Sequence, residues 1–151
     1  MREHRDEMQF REDVQKLINM MGDYKPEVIV PLLRGGQAPC VYVAEQLGVM
    51  DVRPISVERR GEECGIVFPP KGDIGLVDDK KILLLEDDIP TGKSLIYAKQ
   101  FYEKLGGQVK IGAVYVLPLT KHIADFYGLV SDPLPNMYFK PTRTGDRIVN
   151  R

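Results

Sequence analysis

The sequence predicts an α/β fold: a parallel sheet covered by helices on both faces. Three observations carry that prediction. Short apolar segments of strand character alternate with segments of helical periodicity along most of the chain. Ile82-Leu83-Leu84-Leu85 is a run of four aliphatic residues, as found in a strand buried on both faces inside a parallel sheet. Glycines stand where the helical patterns stop, at Gly22, Gly48 and Gly106.

The elements follow in order. From Arg2 to Met21 the apolar positions Met8, Val14, Leu17, Ile18 and Met21 fall near helical spacing, and Gly22 and Pro26 end the helix. Val28 to Leu33 reads as a short strand, Arg34-Gly35-Gly36 as a tight loop, and Ala38 to Leu47 as a second helix stopped by Gly48. Val52 to Val57 reads as a strand, Glu58 to Gly65 as an exposed charged loop, and Gly65 to Phe68 as a short extended piece. Pro69 to Asp73 is a turn region. The strand Ile82 to Leu85 is followed by a helix through Leu95, Ala98, Phe101, Tyr102 and Leu105, which Gly106-Gly107 stops. Val109 to Leu117 is another strand, and Lys121 to Tyr127 a helical turn. The rest, Gly128 to Arg151, is rich in Pro, Gly and Arg, with one extended piece at Met137-Tyr138-Phe139. There is no internal repeat and no low-complexity segment.

A chain of 151 residues is one domain, long enough to bury a core. Its 43% hydrophobic and 28% charged residues place it among soluble globular proteins. A net charge of −1 gives no electrostatic footprint for nucleic acid or an anionic membrane. No apolar stretch approaches the ~20 residues of a transmembrane helix. Met1 to Glu7 is charged and has no signal-peptide pattern, and Cys40 and Cys64 have neither metal nor redox spacing. The expected location is the cytoplasm. His4 and His122 stand apart from any ligand pattern and are expected at the surface.

Chemistry is concentrated after Leu85. The buried strand runs into Glu86-Asp87-Asp88, then Ile89-Pro90, then the turn Thr91-Gly92-Lys93-Ser94 that opens the next helix. Adjacent acids at the end of a buried strand are costly unless a cation or a hydroxyl-rich ligand meets them. A Thr/Gly/Ser turn at a helix start presents unbonded amides and a partial positive charge, which suits a phosphate. Hydroxyls beside the acids, with a phosphate a few ångströms away, describe a phosphorylated sugar. A P-loop is excluded, because the glycine it needs five positions before Gly92 is Asp87. No G-x-G-x-x-G follows a predicted strand, so a dinucleotide fingerprint is absent too.

The segment from Glu86 to Ser94 resembles the phosphoribosyl-pyrophosphate (PRPP) motif of type I phosphoribosyltransferases, nearest to the hypoxanthine-guanine and xanthine type. The similarity extends over roughly Pro26 to Leu117. It implies a Rossmann-like, parallel-sheet phosphoribosyltransferase core, one domain over residues 1–151, with a small hood from the N-terminal helix and residues 118–151. The implied reaction is transfer of the 5-phosphoribosyl group from PRPP to a nucleobase, with release of pyrophosphate. Glu86 and Asp87 would face the ribose 2′- and 3′-hydroxyls, accompanied by Mg²⁺, directly or through its waters. Asp88 would add charge, and Ile89, Pro90, Thr91, Gly92, Lys93 and Ser94 would cradle the 5′-phosphate. Arg34, Gly35 and Gly36 correspond to the pyrophosphate loop, where family members often carry a strained or cis peptide. Arg59 and Arg60 occupy the place of the flexible lid, although its usual Ser-Tyr pair is missing. The family also implies a homodimer.

The main departure is Pro90. Enzymes acting on 6-oxopurines commonly carry an acid just before Thr-Gly, able to exchange a proton with the purine ring. Proline has no such chemistry. Asp88 or water takes that part, or the acceptor is not a 6-oxopurine. The hood is also unlike the family's: the chain has no Trp, and Tyr138 and Phe139 are either base-stacking rings or a core strand. A PRPP- or nucleotide-sensing regulator without turnover is the alternative reading. A Mg²⁺-dependent hydrolase is a third, lacking an evident nucleophile.

Overall fold

The computed structural model describes residues 2–140. In chain order the elements are β1 (His4–Arg5), α1 (Glu7–Met21), β2 (Val28–Pro31), α2 (Gln37–Leu47), β3 (Ser56–Arg60), β4 (Glu63–Phe68), β5 (Lys81–Ile89), α3 (Lys93–Lys104), β6 (Gln108–Val116), β7 (Phe126–Val130) and β8 (Asn136–Met137). The main sheet runs β2-β5-β6-β7 with every pairing parallel. Parallel bridges Ile29↔Val52 and Leu32↔Ile55 add a short edge beside β2. The α/β class read from the sequence is the observed one.

β5 lies at the centre because its side chains can be buried on both faces. Ile82, Leu84 and Ile89 pack with Leu95, Ala98 and Tyr102 of α3 on one side. Leu83 and Leu85 pack with Phe10, Leu17 and Val43 of α1 and α2 on the other. Helix α1 begins at a capping box, in which Asp6 accepts from the Gln9 amide and Gln9 accepts from the Asp6 amide. It therefore starts five residues later than its apolar spacing suggested, and residues 4–5 form a strand instead. α2 ends on Gly48 in the left-handed conformation, as its sequence implied. No helix among the described residues is long and apolar enough to cross a membrane.

Several expectations are corrected. Val52 to Val57 is not one strand: its first part lies along β2, while Ser56 onward turns away into β3. The stretch expected as a charged loop is a β-hairpin, in which Val57 pairs with Ile66 and Arg59 with Cys64. Exposure of Glu58, Arg59 and Arg60 hides the alternation that marks a half-buried strand. Lys121 to Tyr127 is only a 3₁₀ turn over Lys121–Ile123, after which β7 pairs with β6.

α1 packs along β6 and β7 as a layer of the core, while β1 and β8 form a separate two-stranded parallel pair. So short a pair cannot hold itself together. The fully buried Asp13 of α1 fastens it, accepting hydrogen bonds from Arg5 Nε at 3.0 Å and from the Tyr115 hydroxyl of β6 at 2.8 Å. Burial and the Asp13 carboxylate push the Tyr115 phenol well up, so it remains a donor. Residues 141–151, which the expected hood included, lie outside the described residues.

Candidate functional site

Parallel sheets present their loops, and hence their ligands, at the carboxyl ends of the strands. Here the β2–α2 loop and the β5–α3 loop meet around a cavity of about 250 Å³. Its wall is formed by Leu33, Arg34 and Gly35 from the first loop and by residues 86–95 from the second. Arg59 enters from the hairpin and Lys140 from the segment after β8. A larger groove of about 760 Å³ between α1 and α2 contains none of the motif residues.

The acids belong to the strand and not to a turn. β5 continues through Ile89, with Glu86 opposite Ala113 and Asp88 opposite Tyr115 in β6. Glu86 stands opposite Ala113 on the α3 face with Leu84, but strict alternation does not run through the acids: Ile89 lies on that same face, and Asp88 stands opposite Tyr115, which packs with α1. The first two carboxylates each accept the next amide: Asp87 N–H donates to Glu86 at 3.0 Å, and Asp88 N–H donates to Asp87 at 2.8 Å. Burial, reinforced by the charge of Asp87, raises the Glu86 carboxyl well above the usual range.

That shift has a testable sign. An acid whose pKa is raised in the fold binds more protons folded than unfolded, so stability falls as pH rises. The ligand-free protein should lose Tm as pH climbs from the ordinary carboxyl value of 4.5 towards the raised one. In Glu86→Gln this slope should flatten. Thermal denaturation across pH, with an unaltered slope in the variant, would refute the assignment.

Asp87 is the most enclosed of the three, with its side chain only 2% exposed. It sits against Gly35, where any Cβ would run into its carboxylate, so the first loop must carry glycine at that point. Lys140 Nζ approaches Asp87 Oδ2 at 3.5 Å. Nothing in the sequence marked Lys140: it is 53 residues away and belongs to no motif. Arg34 is exposed on the rim, and the peptide joining it to Leu33 is cis. Gly36 departs from expectation. It lines no part of the cavity, and its amide donates to Leu32 O at 2.8 Å instead of facing a ligand. A Cβ there would collide with the Leu85 carbonyl, so Gly36 lets the loop pass close to β5.

The turn Thr91-Gly92-Lys93-Ser94 opens a helix, as expected. α3 starts at Lys93, with Gly92 as N-cap in the left-handed conformation (φ +82°) and no side chain capping the first amides. The residues of this first turn line the cavity at the positive end of the helix. Gly92 is required twice over, by its φ and because Ile123 occupies the space of a Cβ. A bulky residue at position 92 would therefore damage the fold as well as binding. Gly92→Ala should lower Tm and weaken binding of ribose 5-phosphate, and retention of both in calorimetry would refute this reading of the turn.

Of the hairpin arginines only Arg59 lines the cavity; Arg60 pairs with Glu58 at 3.0 Å on the surface. Phe139 packs partly buried against the core, while Tyr138 is exposed. Both rings pack edge-on against Phe10, and a hydrogen bond with Tyr42 pushes the Tyr138 phenol up to about 12. Neither reaches the cavity.

Residues 5–125 match the family described as the phosphoribosyl transferase domain. No curated protein matches the chain. Among solved structures, the purine phosphoribosyltransferase from Pyrococcus horikoshii is similar at 24% identity over 99% of this chain and 98% of that one, with a TM-score of 0.84. The Helicobacter pylori xanthine-guanine-hypoxanthine phosphoribosyltransferase is similar at 17% identity, over 91% and 90% of the two chains, with a TM-score of 0.74. A hypothetical protein from Neisseria gonorrhoeae with bound ppGpp is similar at 12% identity, over 92% and 90%, with a TM-score of 0.71. At these identities the likeness to the three structures is one of fold.

Proposed function

The chain belongs to the phosphoribosyl transferase domain family, which makes it a pentosyltransferase, and from that premise we propose that it transfers the 5-phosphoribosyl group of PRPP to a nitrogen of a purine base. The observation that carries this reading is the convergence of the acidic strand end, the phosphate turn and the Arg34 loop on one cavity. The purine phosphoribosyltransferases among the similar structures support a purine acceptor.

In this mechanism the amides of the Gly92–Ser94 turn and the Thr91 and Ser94 hydroxyls hold the 5′-phosphate. Glu86 and Asp87, which both line the cavity, accept hydrogen bonds from the ribose hydroxyls. Arg34 and Arg59 meet the departing pyrophosphate, and Lys140 keeps the buried Asp87 charge from standing alone. As C1 releases pyrophosphate the sugar gathers positive charge, which the neighbouring carboxylates favour. Asp88, which lines the same cavity as Glu86, takes the acceptor's proton in place of the residue missing at position 90.

Magnesium is the ion that the resemblance implies. Among the described residues no group of three or more acids, histidines or cysteines forms a cage. Two carboxylates, the Glu86 carboxyl raised by burial and by the neighbouring Asp87 charge, fit an ion that keeps most of its waters and takes the rest of its ligands from substrate oxygens. Held there by Glu86 and Asp87, it would supply charge neutralisation to the pyrophosphate.

Pyrophosphate release from PRPP across a panel of bases tests the proposal, and release with at least one purine is expected. A second reading, a PRPP- or nucleotide-sensing regulator, is favoured by Pro90 and by the fold likeness to the ppGpp-bound protein. Micromolar PRPP binding without release for any base would decide for it. We further propose a cytoplasmic homodimer, which light scattering on the purified chain would measure.

A further inference from the structure

The connection between β6 and β7 touches the phosphate turn at both of its ends. Thr120, at the start of this connection, is 6% exposed, and its hydroxyl is fully used. It donates to the Ile89 carbonyl at 2.7 Å and accepts the Leu117 amide at 3.1 Å. Ile123 follows in the 3₁₀ turn, its amide bonded back to Thr120 O at 2.9 Å. Its side chain fills the space beside Gly92 where a Cβ would stand. One contact thus fixes the last residue of β5 and the other fixes the cap of α3.

The turn between them has little with which to hold itself. Pro90 has no N–H to donate. Thr91 and Lys93 are exposed, and no side chain caps the first turn of α3. An anion site made of backbone amides works only where those amides are held in a fixed array. We propose that Thr120 and Ile123 are positioning residues for the phosphate turn: they set the aim of its amides without touching the ligand. This deepens the reading given above and rests on it, since it presupposes that the turn holds the 5′-phosphate.

The proposal separates the two ends of the cavity, so two probes test it. Ribose 5-phosphate requires the turn, whereas pyrophosphate is held at the Arg34 loop, which Thr120 and Ile123 do not touch. In calorimetry Thr120→Val, which keeps the shape and removes the hydroxyl, should weaken ribose 5-phosphate about tenfold, the scale of one lost hydrogen bond. Its affinity for pyrophosphate should stay at the wild-type level, and Thr120→Ser should restore ribose 5-phosphate binding. Ile123→Ala, which opens the space beside Gly92, should show the same selectivity. Thr120→Val binding ribose 5-phosphate like the wild type would overturn the proposal alone. So would equal loss of both probes that follows a fall in Tm, the mark of a merely structural residue. A wild-type protein that binds pyrophosphate and not ribose 5-phosphate would overturn the phosphate reading and this proposal with it.

Discussion

Replacing Pro90 with aspartate will raise turnover with hypoxanthine or guanine by ~10²-fold, the lower end of what a positioned general acid–base contributes. Pro90 is exposed on the cavity wall, between the buried end of β5 and the phosphate turn, so a carboxylate there faces the reacting space. Three acids precede it, and their charge will favour the protonated form of a fourth, as Asp87 does for Glu86. The gain should show in kcat/KM together with a new limb in the pH–rate profile that Asp88→Asn leaves in place. The fold should tolerate the change at a small stability loss, about 0.4–1 kcal/mol, from the freer unfolded chain. A wild-type enzyme already using these bases at ordinary rates, unimpaired by Asp88→Asn, would show that the proline is no handicap.

Asp87→Asn will weaken PRPP binding by about 2 kcal/mol, roughly 30-fold, because a charged acceptor becomes a neutral one. The variant is nearly isosteric, so the close approach of Gly35 is kept and the loop should not move. Lys140 loses its partner, but its side chain is 44% exposed and returns to water at little cost. A second signature is internal to the acid cluster. With the Asp87 charge gone, the Glu86 carboxyl should fall back towards its usual range, since Asp87 is the largest charge acting on it after burial. Calorimetry measures the affinity, and titration of the ligand-free variant measures the carboxyl. PRPP affinity equal to that of the wild type would remove Asp87 from the site.

The sequence by itself determined the α/β class, the central strand and the motif. Ile82 to Leu85 could only be a strand buried on both faces, and it packs with α3 on one side and with α1 and α2 on the other. The stop at Gly48 and the start of α3 beside Gly92 were legible because caps are local devices. Tertiary structure alone decided the rest, for the common reason that the forces involved act between segments far apart in sequence. The acids remain in β5 because the ladder with β6 carries the strand past Leu85, and no periodicity within residues 82–89 records that pairing. The β3–β4 hairpin takes its form from cross-strand bonds, while its charged side chains look like those of a loop. Phe139 packs against the core, and Tyr138 leans exposed on the same ring, because Phe10, over a hundred residues earlier, offers both an edge-on contact. Lys140 and Thr120 reach the site through contacts spanning 53 and 31 residues. Neither belongs to a motif, because what places them is the folded path of the chain and not the pattern of their neighbours.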